Sequence, residues 1–406
     1  MSAVAESMVD AAAGDRLARR NALVLAATQA LAGGNNAVLV ATGGIVGTML
    51  APDKSLATLP LSVLVLGTWL GTLPLGVLAR RLGRRSALQI GTACGVITGL
   101  ICCAAVLQES FLLFNIGALF SGFYATAHQS YRFAAADTAS EAFRPRAVSL
   151  VLLGGVAGSV VGPQLVIATK DIWPPYLFAA SYLGQSMLAL IAGGVLALVN
   201  IPKPAPRAAV GDGRPILEIA REPRFIVAVA CGVAAYSMMN MMMTSAPLAM
   251  VMCNHSVTDA TLGIQWHILG MFAPSLITGT LIARFGVARM AGIGLALIIG
   301  SAVINITGIS VWHFWIALAL LGVGWNFAFV AASTMVMQCH RPNERNKVQA
   351  FNDFLVFGSM AISSFSSGTL LVNFGWSTVN EVVFPVVLTA AALLAWGVLR
   401  GRVRTG

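Results

Sequence analysis

Met239 and Met243 stand four residues apart in one long apolar run, and His267 and Met271 stand four apart in the next. At about 3.6 residues per turn, each pair shares one face of a helix. Thioether and imidazole are donors for a soft ion such as Cu(I). Zinc draws on thiolate, imidazole or carboxylate and hard cations on oxygen, and no acid lies within either motif. Suppose the two runs cross a membrane as antiparallel neighbours with ends near Met250 and Asp259. A rise of about 1.5 Å per residue then puts Met243 and His267 about 10 and 12 Å deep, and Met239 and Met271 about 16 and 18 Å deep. The four donors would lie level in pairs.

Packing accounts for part of the same pattern. Methionine is a flexible filler of hydrophobic cores. Five of the six positions from Met238 to Met243 are methionine, with Asn240 between them, so they cover more than one helical face. Met238, Met241 and Met242 are assigned to packing, and the alternative register, with Met238 and Met242 as ligands, stays open. A single histidine in a helix bundle also serves as a hydrogen-bonded structural group or a step in a proton path.

The elements that must hold these residues are membrane helices. The 406 residues are 57% hydrophobic and 10% charged, against about 25% charged in soluble proteins. Apolar runs long enough for about 30 Å of hydrocarbon recur along the chain, and their continuity excludes a β-barrel. Twelve spans are expected, near 22–50, 57–79, 86–108, 110–135, 147–170, 175–199, 224–250, 259–283, 288–309, 311–337, 348–372 and 381–399. Residues 1–21 read as a polar cytoplasmic tail without the apolar core of a leader.

Charge orients the spans. Of the 25 basic residues, all but Lys54, Lys170 and Arg132 fall in the tails and alternate gaps on one side, which fixes both termini in the cytoplasm. The same bias explains the net charge of +10 without nucleic acid. There is no GxxxxGK[ST] phosphate loop for ATP-driven transport, and no soluble stretch is large enough for an enzyme.

The Pro- and charge-rich segment 200–223 divides a bundle at 22–199 from a bundle at 224–399, with a short tail at 400–406. The halves echo each other. Gly76 to Arg85 (GVLARRLGRR) follows the second span, and Gly279 to Arg289 (GTLIARFGVAR) follows the eighth, as a duplicated six-helix unit predicts. The first loop resembles the signature loop of the major facilitator superfamily, with Arg80 where the usual pattern has Asp. The resemblance runs the full length and implies an all-α membrane protein with twelve transmembrane helices in two six-helix bundles. Arg81, Arg84 and Arg85 are expected to form a conformational charge network with Asp353, plain membrane anchoring being the alternative. Gly158 to Pro163 (GSVVGP) in span five is similar to a kink-and-packing motif of the same superfamily.

Met-x-x-x-Met followed by His-x-x-x-Met resembles the CcoA-type copper importers, bacterial members that supply copper for assembly of cbb3-type cytochrome oxidase. That resemblance implies Met239, Met243, His267 and Met271 as metal ligands and Cys231 and Cys253 as a thiol relay. It further implies copper as transported substrate with no resident cofactor, copper chaperones as partners on either side, and a place in the bacterial inner membrane.

Other polar residues compete for attention. Asn35, His128, Arg132 and Asn326 are candidates for a cavity or proton path, since polar groups within lipid face a cavity or another helix. Cys94, Cys102 and Cys103 are expected to pack, and Cys339 with His340 forms an inner-loop pair able to accept an ion. The rival functions are import of a small organic molecule such as riboflavin, for which the span-four polar set (His128, Gln129, Tyr131 and Arg132) and the tryptophans would matter more than the methionines, and export of a drug or metabolite. A membrane sensor or scaffold is a third.

Overall fold

The computed structural model describes residues 2–137, 139–140, 143–201, 213–341 and 344–401. Lys203, Arg207, Arg402 and Arg404, counted above as inward charges, lie outside the described residues. Helices account for nearly everything else, and no strand occurs among the described residues.

In chain order the helices are α1 (Ser2–Leu50), α2 (Leu59–Leu82), α3 (Arg84–Leu107), α4 (Phe111–Gln129), α5 (Tyr131–Asp137), α6 (Arg144–Thr169) and α7 (Ala179–Leu196). There follow α8 (Ile216–Ala220), α9 (Pro223–Met252), α10 (Val257–Phe272), α11 (Ser275–Phe285), α12 (Val287–Thr307), α13 (Val311–Met337), α14 (Arg345–Glu381) and α15 (Val383–Leu399). Among the described residues ten helical segments are long and apolar enough to cross a membrane, and α10 with α11 makes an eleventh as a span bent by 43°. One of the ten, Lys347–Leu399, is 53 residues long, about 80 Å at helical rise and so enough for two crossings. Its backbone leaves helical geometry at Gly375, at φ 85° and ψ 174°. The expected polar tail is itself helical, since α1 begins at Ser2.

The chain forms two compact units, one of residues 1–42 and 66–206 and one of 43–65 and 207–406. The second unit therefore includes the hairpin at 43–65, which the sequence places with the first bundle. Inside that unit Ser62 Oγ donates to Ser364 Oγ at 3.1 Å.

Close helix approach in the first unit depends on residues without a Cβ. A Cβ on Gly158 would stand 2.9 Å from Ala30 O, and one on Gly162 only 2.3 Å from Gly34 O. The span-five glycines thus let α6 lie directly on the backbone of α1, as small-xxx-small faces do in membranes. In the second unit a core of Phe225, Met242, Leu321 and Val387 with many alanines gathers around α9 and α13.

Candidate functional site

Local sequence sets α10 in place. Ser256 caps it in a reciprocal box with Asp259, whose N–H donates to Ser256 Oγ at 3.0 Å, satisfying donors a helix start leaves open. Trp315 Nε1 donates to Asp259 O at 2.9 Å. Pro274 then ends the run, because it has no N–H to continue the helix. Met271 O, left open at the break, is taken up by Asn326, whose Nδ2 donates to it at 2.7 Å and to Ser275 Oγ at 2.6 Å. Thr278 Oγ1 donates to Asn326 Oδ1 at 2.6 Å. Asn326, wholly buried, therefore repairs the bend of span eight and faces neighbouring helices.

His267 is 0% exposed, and its Nδ1 lies 2.9 Å from Leu318 O. That carbonyl can only accept, so Nδ1 carries the proton and Nε2 a lone pair. Nε2 has no hydrogen-bond partner. The approach is close because Gly322 has no side chain: a Cβ there would stand 2.3 Å from His267 O. Met238, Met239, Met241 and Met242 are buried in the unit's own core, and Met243 and Met271 pack against it partly buried. Met250 Sδ lies 3.4 Å from the Cβ position of Gly263. Counting inward from that contact puts Met243 within about one turn of His267's level, and Met239 within about one turn of Met271's. Among the described residues no three His, Cys, Asp or Glu side chains gather to hold a metal.

All six cysteines are free thiols. Cys231 is buried in the core and Cys253 half-buried at the end of α9, where burial pushes its pKa up. Cys339 is also buried, and burial pushes its thiol up to about 11. A thiol protonated at neutral pH is a poor ligand.

Two arginines of the expected charge network have partners within their own unit. Arg84 forms an ion pair with Asp137, at the end of α5, and Arg85 Nη2 donates to Ala197 O at 2.7 Å. Arg81 is exposed. Asp353, expected as the acid for these arginines, accepts from Asn352 Nδ2 at 3.1 Å. The sequence offered no signal that favoured Asp137. A second network escaped notice altogether. Arg214 Nε and Nη2 each lie 2.9 Å from the fully buried Glu344 carboxylate, and Arg214 also pairs with Glu222. The Arg214 guanidinium holds the Glu344 carboxyl well below the usual carboxylate range.

In the first unit, Asn35 Nδ2 donates to Gln185 O at 2.6 Å and Asn35 Oδ1 accepts from Gln185 Nε2 at 3.3 Å. It is thus engaged between helices. Gln29 Nε2 lies 3.5 Å from His128 Nδ1, both residues being buried. Gln29 Oε1 and His128 Nε2 have no partner. Arg132, one turn on, lies with its guanidinium 4.8 Å from the Phe133 ring centroid.

The aromatic side chains hold a further cluster that motif reading missed. Tyr236 of α9 meets Trp325 and Phe329 of α13 edge-on, with centroids 5.3 and 4.9 Å away, and Phe357 of α14 at 5.7 Å. Trp325 and Phe329 stack at 5.2 Å and 14°. All four rings are half-buried, and Trp325 Nε1 has no acceptor. The spacing Trp325-x-x-x-Phe329 puts two rings on one helix face and was the available signal.

Comparison with known proteins names the family. The sequence profile of the Major Facilitator Superfamily matches residues 23–266. The chain belongs to the Major Facilitator Superfamily. Its superfamily relatives include the riboflavin transporter RfnT of Brucella anthropi, 48% identical over 382 residues that cover 94% of this chain and 95% of the relative. Another is the uncharacterized MFS-type transporter YdeG of Bacillus subtilis strain 168, 28% identical over 87% of this chain and 85% of that one. Among solved structures, the xylose transporter XylE from E. coli, in a partially occluded inward-open conformation, matches with a TM-score of 0.71. It covers 94% of this chain and 98% of that one at 14% identity, a likeness of fold alone. The protein is thus a multi-pass membrane protein and a secondary transporter of this superfamily. The narrower expectation of a CcoA-type copper importer gains no support from these relatives, one of which, similar over nearly its whole length, is a riboflavin transporter.

Proposed function

We propose that this chain carries riboflavin, or a flavin closely like it, across the bacterial inner membrane into the cytoplasm. One observation carries the reading: near-half identity to a riboflavin transporter over 94% of the chain. The side chains suit the cargo. Riboflavin joins a planar heteroaromatic ring system to a hydroxyl-rich chain. The second unit offers half-buried aromatic rings beside an indole N–H of Trp325 that has no acceptor, and small-molecule sites combine apolar rings with a few polar groups in this way. Both termini lie in the cytoplasm on the strength of the basic-residue bias.

The test is uptake of labelled riboflavin by a bacterial strain that can neither make nor import it. Expression of this chain should restore growth on micromolar riboflavin, and the purified protein in liposomes should accumulate the label. Failure of both would end the flavin reading.

Copper import is the second reading, favoured by His267. Its Nδ1 is oriented by a backbone carbonyl and its buried Nε2 is unpaired, as in histidines that bind metal. Met239, Met243 and Met271 would complete the soft set, Cys231 and Cys253 would relay the ion, and copper chaperones would be the partners. Copper uptake lost in Met239→Leu, Met243→Leu and His267→Ala, with riboflavin uptake intact, would favour it. Unchanged copper entry in all three variants would remove it.

A further inference from the structure

We propose that Tyr236, Trp325, Phe329 and Phe357 form the platform on which the substrate's aromatic ring system stacks. The proposal rests on the flavin reading and assigns it residues.

Depth is the first argument. At about 1.5 Å per residue, Tyr236 lies about 20 Å from the Pro223 end of α9, Trp325 about 18 Å from the Met337 end of α13, and Phe357 about 15 Å from Lys347 in α14. All three are near the middle of their spans. Aromatic residues that merely face lipid collect in belts at the two interfaces, where N–H and O–H groups reach water. A Trp and a Tyr at mid-depth are out of place for that role, and polar groups held there mark substrate paths.

Geometry is the second. Trp325 and Phe329 lie nearly parallel, and Tyr236 is set edge-on to both, on a different helix. Each ring orients the next, so the exposed part of the cluster is rigid before any ligand arrives. A rigid aromatic surface takes a flat ring at little cost in ordering.

Chemistry is the third. The Trp325 indole N–H has no acceptor, and a buried donor without a partner is costly. A ring bearing carbonyl oxygens and ring nitrogens, as an isoalloxazine does, supplies that acceptor on docking. A simple hydrocarbon cannot supply that acceptor.

The experiment measures riboflavin binding to the purified full-length protein by quenching of flavin fluorescence, with lumichrome (the bare ring system) and ribitol as competitors. Lumichrome should compete and ribitol should not. Trp325→Leu and Tyr236→Leu should each weaken binding about tenfold or more, in line with the loss of one stacking surface. Trp325→Phe, which keeps the stack and loses the donor, should weaken it about two- to tenfold. Thermal unfolding of each variant checks folding; if a leucine variant does not fold, Trp325→Phe and Phe357→Leu carry the test. Binding by every folded variant within twofold of wild type, or competition by ribitol alone, would overturn the platform while leaving the flavin reading intact. Wild-type protein that neither binds nor transports riboflavin overturns both.

Discussion

Gly83 and Gly286 hold the same unusual backbone conformation, φ 90° and ψ 156° in one and φ 85° and ψ 155° in the other. Each sits in the short turn between two helices, at matching places in the two sequence halves. This region of φ and ψ is essentially closed to residues with a Cβ. Two halves with one strained turn at one position are the structural trace of a duplicated unit.

Gly83→Ala and Gly286→Ala should therefore each destabilise the protein by about 1–3 kcal/mol. Thermal unfolding in detergent, followed by size-exclusion chromatography, reads the loss. The two variants should shift the midpoint alike. No shift in either would mean that the turn relaxes freely.

The contact of α6 on α1 gives a steric prediction. Gly162→Val places atoms where Gly34 O already stands, 2.3 Å from the Cβ position, and overpacking of this kind costs about 1–3 kcal/mol. Gly194→Ala is the control, because nothing lies within 4 Å of its Cβ position. The first should lower the yield and midpoint of folded protein. The second should leave both unchanged or raise them.

Glu344 gives a pH dependence with a definite sign. Its folded carboxyl is held below the ordinary value of 4.5, first by Arg214 and then by the Arg341 N–H. A depressed carboxylate contributes stability that is fully present above the ordinary value and is lost as the pH falls through the folded one. The wild type should exceed Glu344→Gln in unfolding midpoint at pH 7, and the gap should narrow only below about pH 4.5. A gap that stays constant into strong acid would show that the charge contributes nothing.

Asn326 closes the bend of span eight with three hydrogen bonds. Asn326→Leu removes the Nδ2 donor from Met271 O, which keeps only Ser275 Oγ at 3.4 Å, while Thr278 Oγ1 keeps Pro274 O at 2.7 Å, so the loss should be about 1–3 kcal/mol for the one weakened carbonyl. Asn326→Asp sets an acceptor oxygen against that carbonyl and buries a charge without a partner, so it should cost more. Parallel unfolding curves rank the two, and no loss in either would show that the bend holds without Asn326.

Membrane residence and helical class were legible in the residues themselves, because a span must be long and apolar whatever it packs against. The duplicated turn was legible for a related reason, since a positive φ leaves its mark as a glycine at Gly83 and again at Gly286. The soft-ligand motifs were equally plain as spacing, yet spacing assigns residues to a helix face and says nothing of what that face meets. Only the tertiary structure showed Met239 inside the second unit's core, His267 turned to Leu318, Arg84 beside Asp137, and Asn326 mending a bend. The four-ring cluster comes from α9, α13 and α14, so no single stretch of sequence carries it. Partners brought together from distant helices depend on packing of the whole unit, and pattern along one helix has no access to that.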